Sequence, residues 1–308
     1  MARILLTGAA GFVGRNLLSA AGAEIHDWFG LDRSFPEGFA RRHALTESVS
    51  CDLADPAAVR DLVARIRPEA VVHLAGWTAK GDSMANRADL VQANLVSTWN
   101  LLDALEAART GDAPPARFVL ASSALVYGDQ PGPFREDMPT LPPDAYALTK
   151  WLAEEAVRAY VRKGAVAAAI LRPAVIYGPG QGGSMFVPSL VAALARGERF
   201  PMTGGAQKRD LVHVRDVAGA ILAVLRSRAE GVFNLGTGTG VPMAEVGRKL
   251  SGLAGRPDLL GVGDLPYRDH EVWDYAVDAS ALREATGWVP EVALHDGLKE
   301  TLETETRP

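Results

Sequence analysis

Thr7-Gly8-Ala9-Ala10-Gly11-Phe12-Val13-Gly14 is the stretch on which the fold turns. It follows an apolar run, Arg3 to Thr7, that reads as a short buried strand, and it leads into a helical pattern from Val13 to Ala21. Glycines at three-residue spacing, where a strand gives way to a helix, let a pyrophosphate approach the backbone and meet helix N-terminal amides. Gly8, Gly11 and Gly14, with Phe12 and Val13 between the last two, are therefore candidate dinucleotide contacts. Asp32 closes the next apolar run, Glu24 to Asp32, where a carboxylate accepts hydrogen bonds from an adenosine ribose. Arg33 beside it is suited to clamp a 2′-phosphate, so NAD leads and NADP stays open. A tight turn needing glycine for packing alone is the plain alternative, and the distal acid argues against it.

Outward from this stretch the pattern repeats. Ser48 to Leu53, Ala70 to Ala75, Arg117 to Ser122 and Ala167 to Arg172 are further β-rich runs. They are separated by a helix from Pro56 to Ile66 and by long helical stretches over 83–109 and 144–163. Every gap is long enough for a crossover helix, which gives the fold class: an α/β, Rossmann-type, doubly wound parallel sheet. After Pro173 glycine and proline punctuate the chain more often, and a smaller α/β substrate lobe is predicted there. The chain returns to the first body in this reading, so the dinucleotide-binding domain takes 1–172 and about 208–236. The lobe takes 173–207 and about 237–308. Asp52 and Leu53 either border the adenine edge or begin the next helix, with Asp52 as its cap.

The bulk properties narrow the function. A formal net charge of −5, with no dense Lys/Arg run, argues against nucleic-acid and membrane-surface roles. The single cysteine, Cys51, can form neither an internal disulfide nor a thiolate cluster, and six scattered histidines show no ligand spacing, so no metal is expected. The apolar start is too short for a signal segment, and a reducing cytoplasm fits best.

Among six tyrosines only Tyr146 has a lysine four residues later, Lys150, in a helical pattern that places both on one face. A tyrosine is a poor base at its ordinary pKa, and the Lys150 ammonium is expected to lower it by favouring the phenolate. Proton abstraction from a sugar hydroxyl then becomes feasible as hydride leaves the same carbon. Ser123, at the end of a strand, is placed to hydrogen-bond the same oxygen. For an isolated match a surface pair on an amphipathic helix would explain Tyr146 and Lys150 equally well. The glycine loop upstream decides against it.

These residues, with Val72-His73-Leu74-Ala75-Gly76, Ser122-Ser123-Ala124-Leu125-Val126-Tyr127-Gly128, Arg172-Pro173 and Tyr177-Gly178-Pro179-Gly180, resemble the extended short-chain dehydrogenase/reductases of the nucleotide-sugar epimerase/dehydratase group. The resemblance covers nearly the whole chain. It implies that Ser123, Tyr146 and Lys150 form a catalytic triad, and that Gly8, Gly11, Gly14 and Asp32 hold the dinucleotide. Leu74, Ala75, Gly76, Asn94 and Pro173 then border the cofactor. Arg209, in Arg209-Asp210-Leu211-Val212-His213-Val214, and Arg268 resemble the family's grip on a nucleotide diphosphate. Pairing of each arginine with a neighbouring acid is the alternative.

Dehydratases of this family place an Asp-Glu pair directly after the catalytic hydroxyl residue, whereas here Ala124-Leu125 comes after Ser123. Gly76-Trp77-Thr78-Ala79-Lys80-Gly81-Asp82-Ser83 resembles a segment of UDP-glucose 4-epimerases, in register with Asn94 and Thr98, while Val175 departs from an asparagine many of them carry. The reading is an NAD-dependent UDP-sugar 4-epimerase acting through a transient 4-keto sugar. Its alternatives are an NAD(P)H-dependent 4-keto-sugar reductase and a regulator that binds dinucleotide without chemistry. By the same resemblance, the two long helices pair in a homodimer.

Overall fold

The computed structural model describes residues 2–22, 26–78, 84–111, 113–267 and 271–306. The chain divides into two compact units, one of Met1–Gly128, Pro139–Arg172 and Ile221–Phe233, the other of Asp129–Met138, Pro173–Ala220 and Asn234–Pro308.

In the first unit strands and helices alternate from the start: β1 (Arg3–Thr7), α1 (Phe12–Ala21), β2 (Asp27–Asp32), α2 (Phe39–Arg42), β3 (Glu47–Ser50), α3 (Pro56–Ile66) and β4 (Ala70–His73). Then come α4 (Met84–Leu90), a π-helical turn (Val91–Val96), α5 (Ser97–Ala108), β5 (Ala116–Ala121), α6 (Ala145–Arg162) and β6 (Val166–Pro173). The strands lie parallel in the order β6-β5-β4-β1-β2-β3. β1 takes Phe29 of β2 against Leu5 on one side and Val71 of β4 against Leu5 on the other. The strands are apolar on both faces because both are covered. Leu5, Val71, Phe118, Leu120 and Ile170 share one buried cluster with Val59 and Val63 of α3, Leu101 and Leu105 of α5, and Val157 of α6. Strand order reverses between β1 and β4, and the carboxyl ends at such a reversal are where α/β sheets bind ligands.

The remaining elements are β7 (Val175–Tyr177), α7 (Phe186–Arg196), β8 (Phe200–Met202), β9 (Lys208–His213), α8 (Val214–Ser227), β10 (Gly231–Leu235), β11 (Gly240–Pro242), α9 (Met243–Leu253), β12 (Leu260–Val262), β13 (Asp274–Tyr275), α10 (Ser280–Thr286) and α11 (Leu294–Glu305). β10 adds a seventh strand beside β6. In the second unit β9 is the hub of a small sheet, flanked by β11 and β13 and also paired with β7, while β8 pairs with β12. Its core gathers Leu190, Leu194, Leu211, Val246, Leu250 and Leu298.

Two sequence expectations change here. Asp129–Met138, expected within the first body, belongs to the second unit, and the later return to the first unit is only Ile221–Phe233, because Lys208–His213 spends its backbone bonds on β7, β11 and β13 rather than on the large sheet. The single helix expected over 83–109 is described from Met84 and is interrupted by the π-helical turn. Among the described residues no helix is long and apolar enough to cross a membrane.

Candidate active site

The glycine loop leaves β1 with Gly8 at φ +68°, a left-handed conformation that glycine adopts without strain. A Cβ there would stand 2.8 Å from the Ala75 backbone nitrogen, and one on Gly14 would collide with the Gly8 carbonyl oxygen. The loop thus packs backbone on backbone. Gly11 precedes the first turn of α1, which opens with Phe12 and Val13, and contributes no side-chain cap, so its amides are open to an anionic ligand. Asp32 ends β2 and fastens the same loop: its Oδ2 accepts the Ala10 amide at 3.0 Å and its Oδ1 the Arg33 amide at 2.8 Å. The Arg33 side chain is exposed. These features fit a dinucleotide, with its pyrophosphate on the loop and its ribose at Asp32.

The cap of α3 falls on a residue that the sequence reading passed over. Asp55 accepts the Ala57 and Ala58 amides at 2.9 and 3.1 Å, while Asp52 accepts only the Ala54 amide, at 3.0 Å. Asp52 remains exposed, and the Leu53 side chain is buried in the core.

Ser123 lies just beyond β5 and caps a short 3₁₀ turn, Ala124–Tyr127, by accepting the Leu125 amide at 3.2 Å. Tyr146 sits in the first turn of α6, whose cap Asp144 accepts the Ala147 amide at 2.8 Å, and its phenol is near enough to the Ser123 hydroxyl to be drawn down in pKa by it. One turn on, the Lys150 ammonium donates to the Ala121 carbonyl at 2.8 Å. Gly76 allows this approach, because a Cβ there would lie 2.8 Å from Asn94 Oδ1 and 3.2 Å from Lys150 Nζ. Asn94 is buried, and its amide group grips the backbone of Trp77: Oδ1 accepts the Trp77 N–H at 2.8 Å and Nδ2 donates to the Trp77 carbonyl at 3.1 Å. Nδ2 also donates to Thr149 Oγ1 at 3.0 Å. Ser123, Tyr146, Lys150, Gly76 and Asn94 thus converge where β4 and β5 end. Leu74 and Ala75 lead into that point: the Leu74 amide donates to the Thr7 carbonyl at 3.2 Å. Pro173 ends β6 and is buried.

The electrostatics depart from the expectation of an acidified phenol. Burial pushes the Tyr146 phenol up to about 12, aided by the Asp144 carboxylate, and the nearby Ser123 hydroxyl offsets this only in part. Burial brings the Lys150 ammonium down to about 8, against the pull of Glu154. With protein groups alone the phenol therefore keeps its proton at neutral pH, because desolvation outweighs the pull of the Ser123 hydroxyl.

A buried ion pair, its acid on the same helix as Tyr146 and Lys150, went unread in the sequence. The fully buried Glu154 accepts Ser122 Oγ at 2.5 Å and both Nε and Nη2 of Arg172, at 3.0 and 2.6 Å. The Arg172 guanidinium also lies 4.8 Å from the centre of the Tyr127 ring. Glu154 stands four residues beyond Lys150 on the same helical face, a spacing that could have drawn attention to it.

In the second unit Arg209 is engaged: its guanidinium donates to the carbonyls of Lys208 and Val272, at 2.7 and 2.6 Å, and pairs with the carboxylate of Glu271. The acid partner weighed for it is therefore present. Asp210 beside it is a buried carboxylate saturated by the Thr237 amide and hydroxyl and the Gly238 amide. Arg268, like Ala79 to Ser83 of the epimerase-like segment, lies outside the described residues.

Comparison with known proteins gives the same picture over most of the chain. Residues 4–236 match the model of the NAD dependent epimerase/dehydratase family. The UDP-glucose 4-epimerase of Mycolicibacterium smegmatis is 31% identical, over 98% of this chain and 97% of its own. The dTDP-glucose 4,6-dehydratase of Streptomyces niveus is also 31% identical, over 98% of this chain and 92% of its own. Among solved structures, the UDP-glucose 4-epimerase of Thermotoga maritima with UDP-glucose superposes with a TM-score of 0.88 at 27% identity, covering 98% of each chain.

Proposed function

Because the chain belongs to the NAD dependent epimerase/dehydratase family, we propose that it is a 4-epimerase of a nucleotide-diphosphate sugar, of the UDP-sugar type, with Ser123, Tyr146 and Lys150 as its catalytic residues. The observation that carries the reading is the convergence of three side chains at the end of β5: Ser123 just beyond the strand, Tyr146 in the first turn of α6, and a Lys150 ammonium tied to the Ala121 carbonyl. Tyr146 takes the proton of the C4 hydroxyl and returns it after the 4-keto sugar has presented its other face. Ser123 holds the same oxygen. Lys150 contributes positive charge that opposes the upward pull of burial on the phenol. NAD, when bound along Gly8, Gly11, Gly14 and Asp32, supplies the hydride acceptor and a positive ring that further favours the phenolate.

Epimerisation is favoured over dehydration by the two residues next to Ser123. Ala124 is fully buried and Leu125 is apolar, so the positions directly after the catalytic hydroxyl carry no acid or base to eliminate water. The purified protein, mixed with UDP-glucose and no added cofactor, is expected to yield the C4 epimer without net consumption of NAD. Turnover only of 4-keto sugars with added NADH or NADPH would make it a reductase, a 4-keto-6-deoxy product would make it a dehydratase, and no turnover of any nucleotide sugar would sink the enzymatic reading.

A further inference from the structure

Within the first unit, beneath the glycine loop, runs a series of hydrogen bonds with a single direction of donation. The hydroxyl of Thr98, on α5, donates to the Asn94 carbonyl at 2.7 Å, which uses its only proton. His73 Nε2, on β4, lies 3.0 Å from that same hydroxyl oxygen, so the ring must be the donor there and Nε2 carries the proton. Nδ1 is then a bare lone pair, and the Thr7 hydroxyl, 2.7 Å away, donates to it. Thr7 Oγ1 in turn accepts the Ala75 amide at 3.2 Å. Each donor meets one acceptor, from the Ala75 N–H through Thr7, His73 and Thr98 to the Asn94 carbonyl. The ring is 1% exposed, and burial, with the nearby Lys150 charge, keeps it neutral by bringing its pKa down to about 3.

The series meets the site at Thr7 and at Asn94. Thr7 is the residue from which Gly8 and the glycine loop depart. Asn94 belongs to the π-helical turn Val91–Val96, grips the backbone of Trp77 next to Gly76, and bonds Thr149 next to Lys150. Burial alone demands partners for both ring nitrogens, but here those partners are the residue before the glycine loop and the hydroxyl that holds the Asn94 carbonyl. We propose that His73, locked as its Nε2–H tautomer, is a positioning residue that couples the dinucleotide loop at Thr7 to the Asn94 turn bracing Gly76 and Lys150. The proposal rests on Lys150 acting in catalysis, but its tests do not depend on turnover.

Nitrogen-15 spectra of the histidine rings in the full chain are expected to show His73 protonated at Nε2 and bare at Nδ1, unchanged from about pH 5 to about pH 8. The opposite tautomer, or conversion to imidazolium within that range, overturns the proposal. Thr98→Val keeps the shape and removes the hydroxyl, and is expected to weaken NAD binding in direct titration by about tenfold, the scale of one buried hydrogen bond broken. Thr98→Ser, which restores the hydroxyl, recovers most of that loss. If NAD binds the valine variant as tightly as the native protein, the coupling is refuted even where the tautomer is as stated. Should the valine variant fail to fold, the ring spectra of the native chain still decide. Absence of turnover on every nucleotide sugar, with tautomer and NAD affinities as described, would refute the epimerase reading alone.

Discussion

Lys150 keeps its ammonium where burial opposes it: the side chain is 7% exposed, and its pKa comes down from 10.5 to about 8. The unfolded chain holds that proton more tightly, so the cost to stability is complete below about pH 8 and disappears as pH rises to about 10.5. Lys150→Met removes the cost together with the bond to Ala121. The variant is expected to be inactive yet, at pH 7, more stable by on the order of 1 kcal/mol, an advantage that shrinks across the same pH window. Calorimetry over that window checks it, and a lower melting temperature at pH 7 would contradict it. The placement of Tyr146 and Lys150 one turn apart on a single helix was legible from their spacing, read together with the glycine loop upstream. The direction of the phenol's shift was not, because desolvation depends on what the fold packs around the ring, and no local pattern carries that.

At the scale of elements, the glycine loop was legible because its chemistry is local: a strand, three glycines and a helix start within a dozen residues or so. The cap of α3 shows how far local reading goes. Both Asp52 and Asp55 precede Pro56, and only the fold gives Asp55 the extended backbone (φ −89°, ψ 102°) from which a side chain reaches two amides. Asp55→Ala is expected to cost about 1 kcal/mol and Asp52→Ala clearly less, by the usual scale of N-caps. Denaturant melts of the two variants give the comparison, and equal losses would contradict the assignment. The π-helical turn carrying Asn94 was invisible for a similar reason. One extra residue in a turn barely disturbs an apolar stripe, so the periodicity reads as a single helix.

At the scale of the molecule, the parallel sheet followed from the alternation of apolar runs and helical stretches, while the division of the chain did not. Lys208–His213 has the composition of a strand in either unit, and its place depends on partners as distant in sequence as β7 and β13. The pairing of Arg209 with Glu271, 62 residues away, is illegible for the same reason. Val91 and Trp99, on the π-helical turn and α5, and Leu148 and Val161, on α6, are exposed by 38 to 45%. We propose that these apolar side chains meet a second copy of the chain. The native protein should then sediment as a dimer and Trp99→Arg as a monomer; a native monomer would exclude the pairing.

In the proposed reaction one phenol carries the proton, and UDP-glucose epimerisation by Tyr146→Phe beside the native protein, with bound NAD measured in both, puts that to the test. A fall in turnover of about a hundredfold or more with NAD retained is the predicted result, on the scale of general acid-base catalysis. Turnover close to native in the phenylalanine variant would contradict the account.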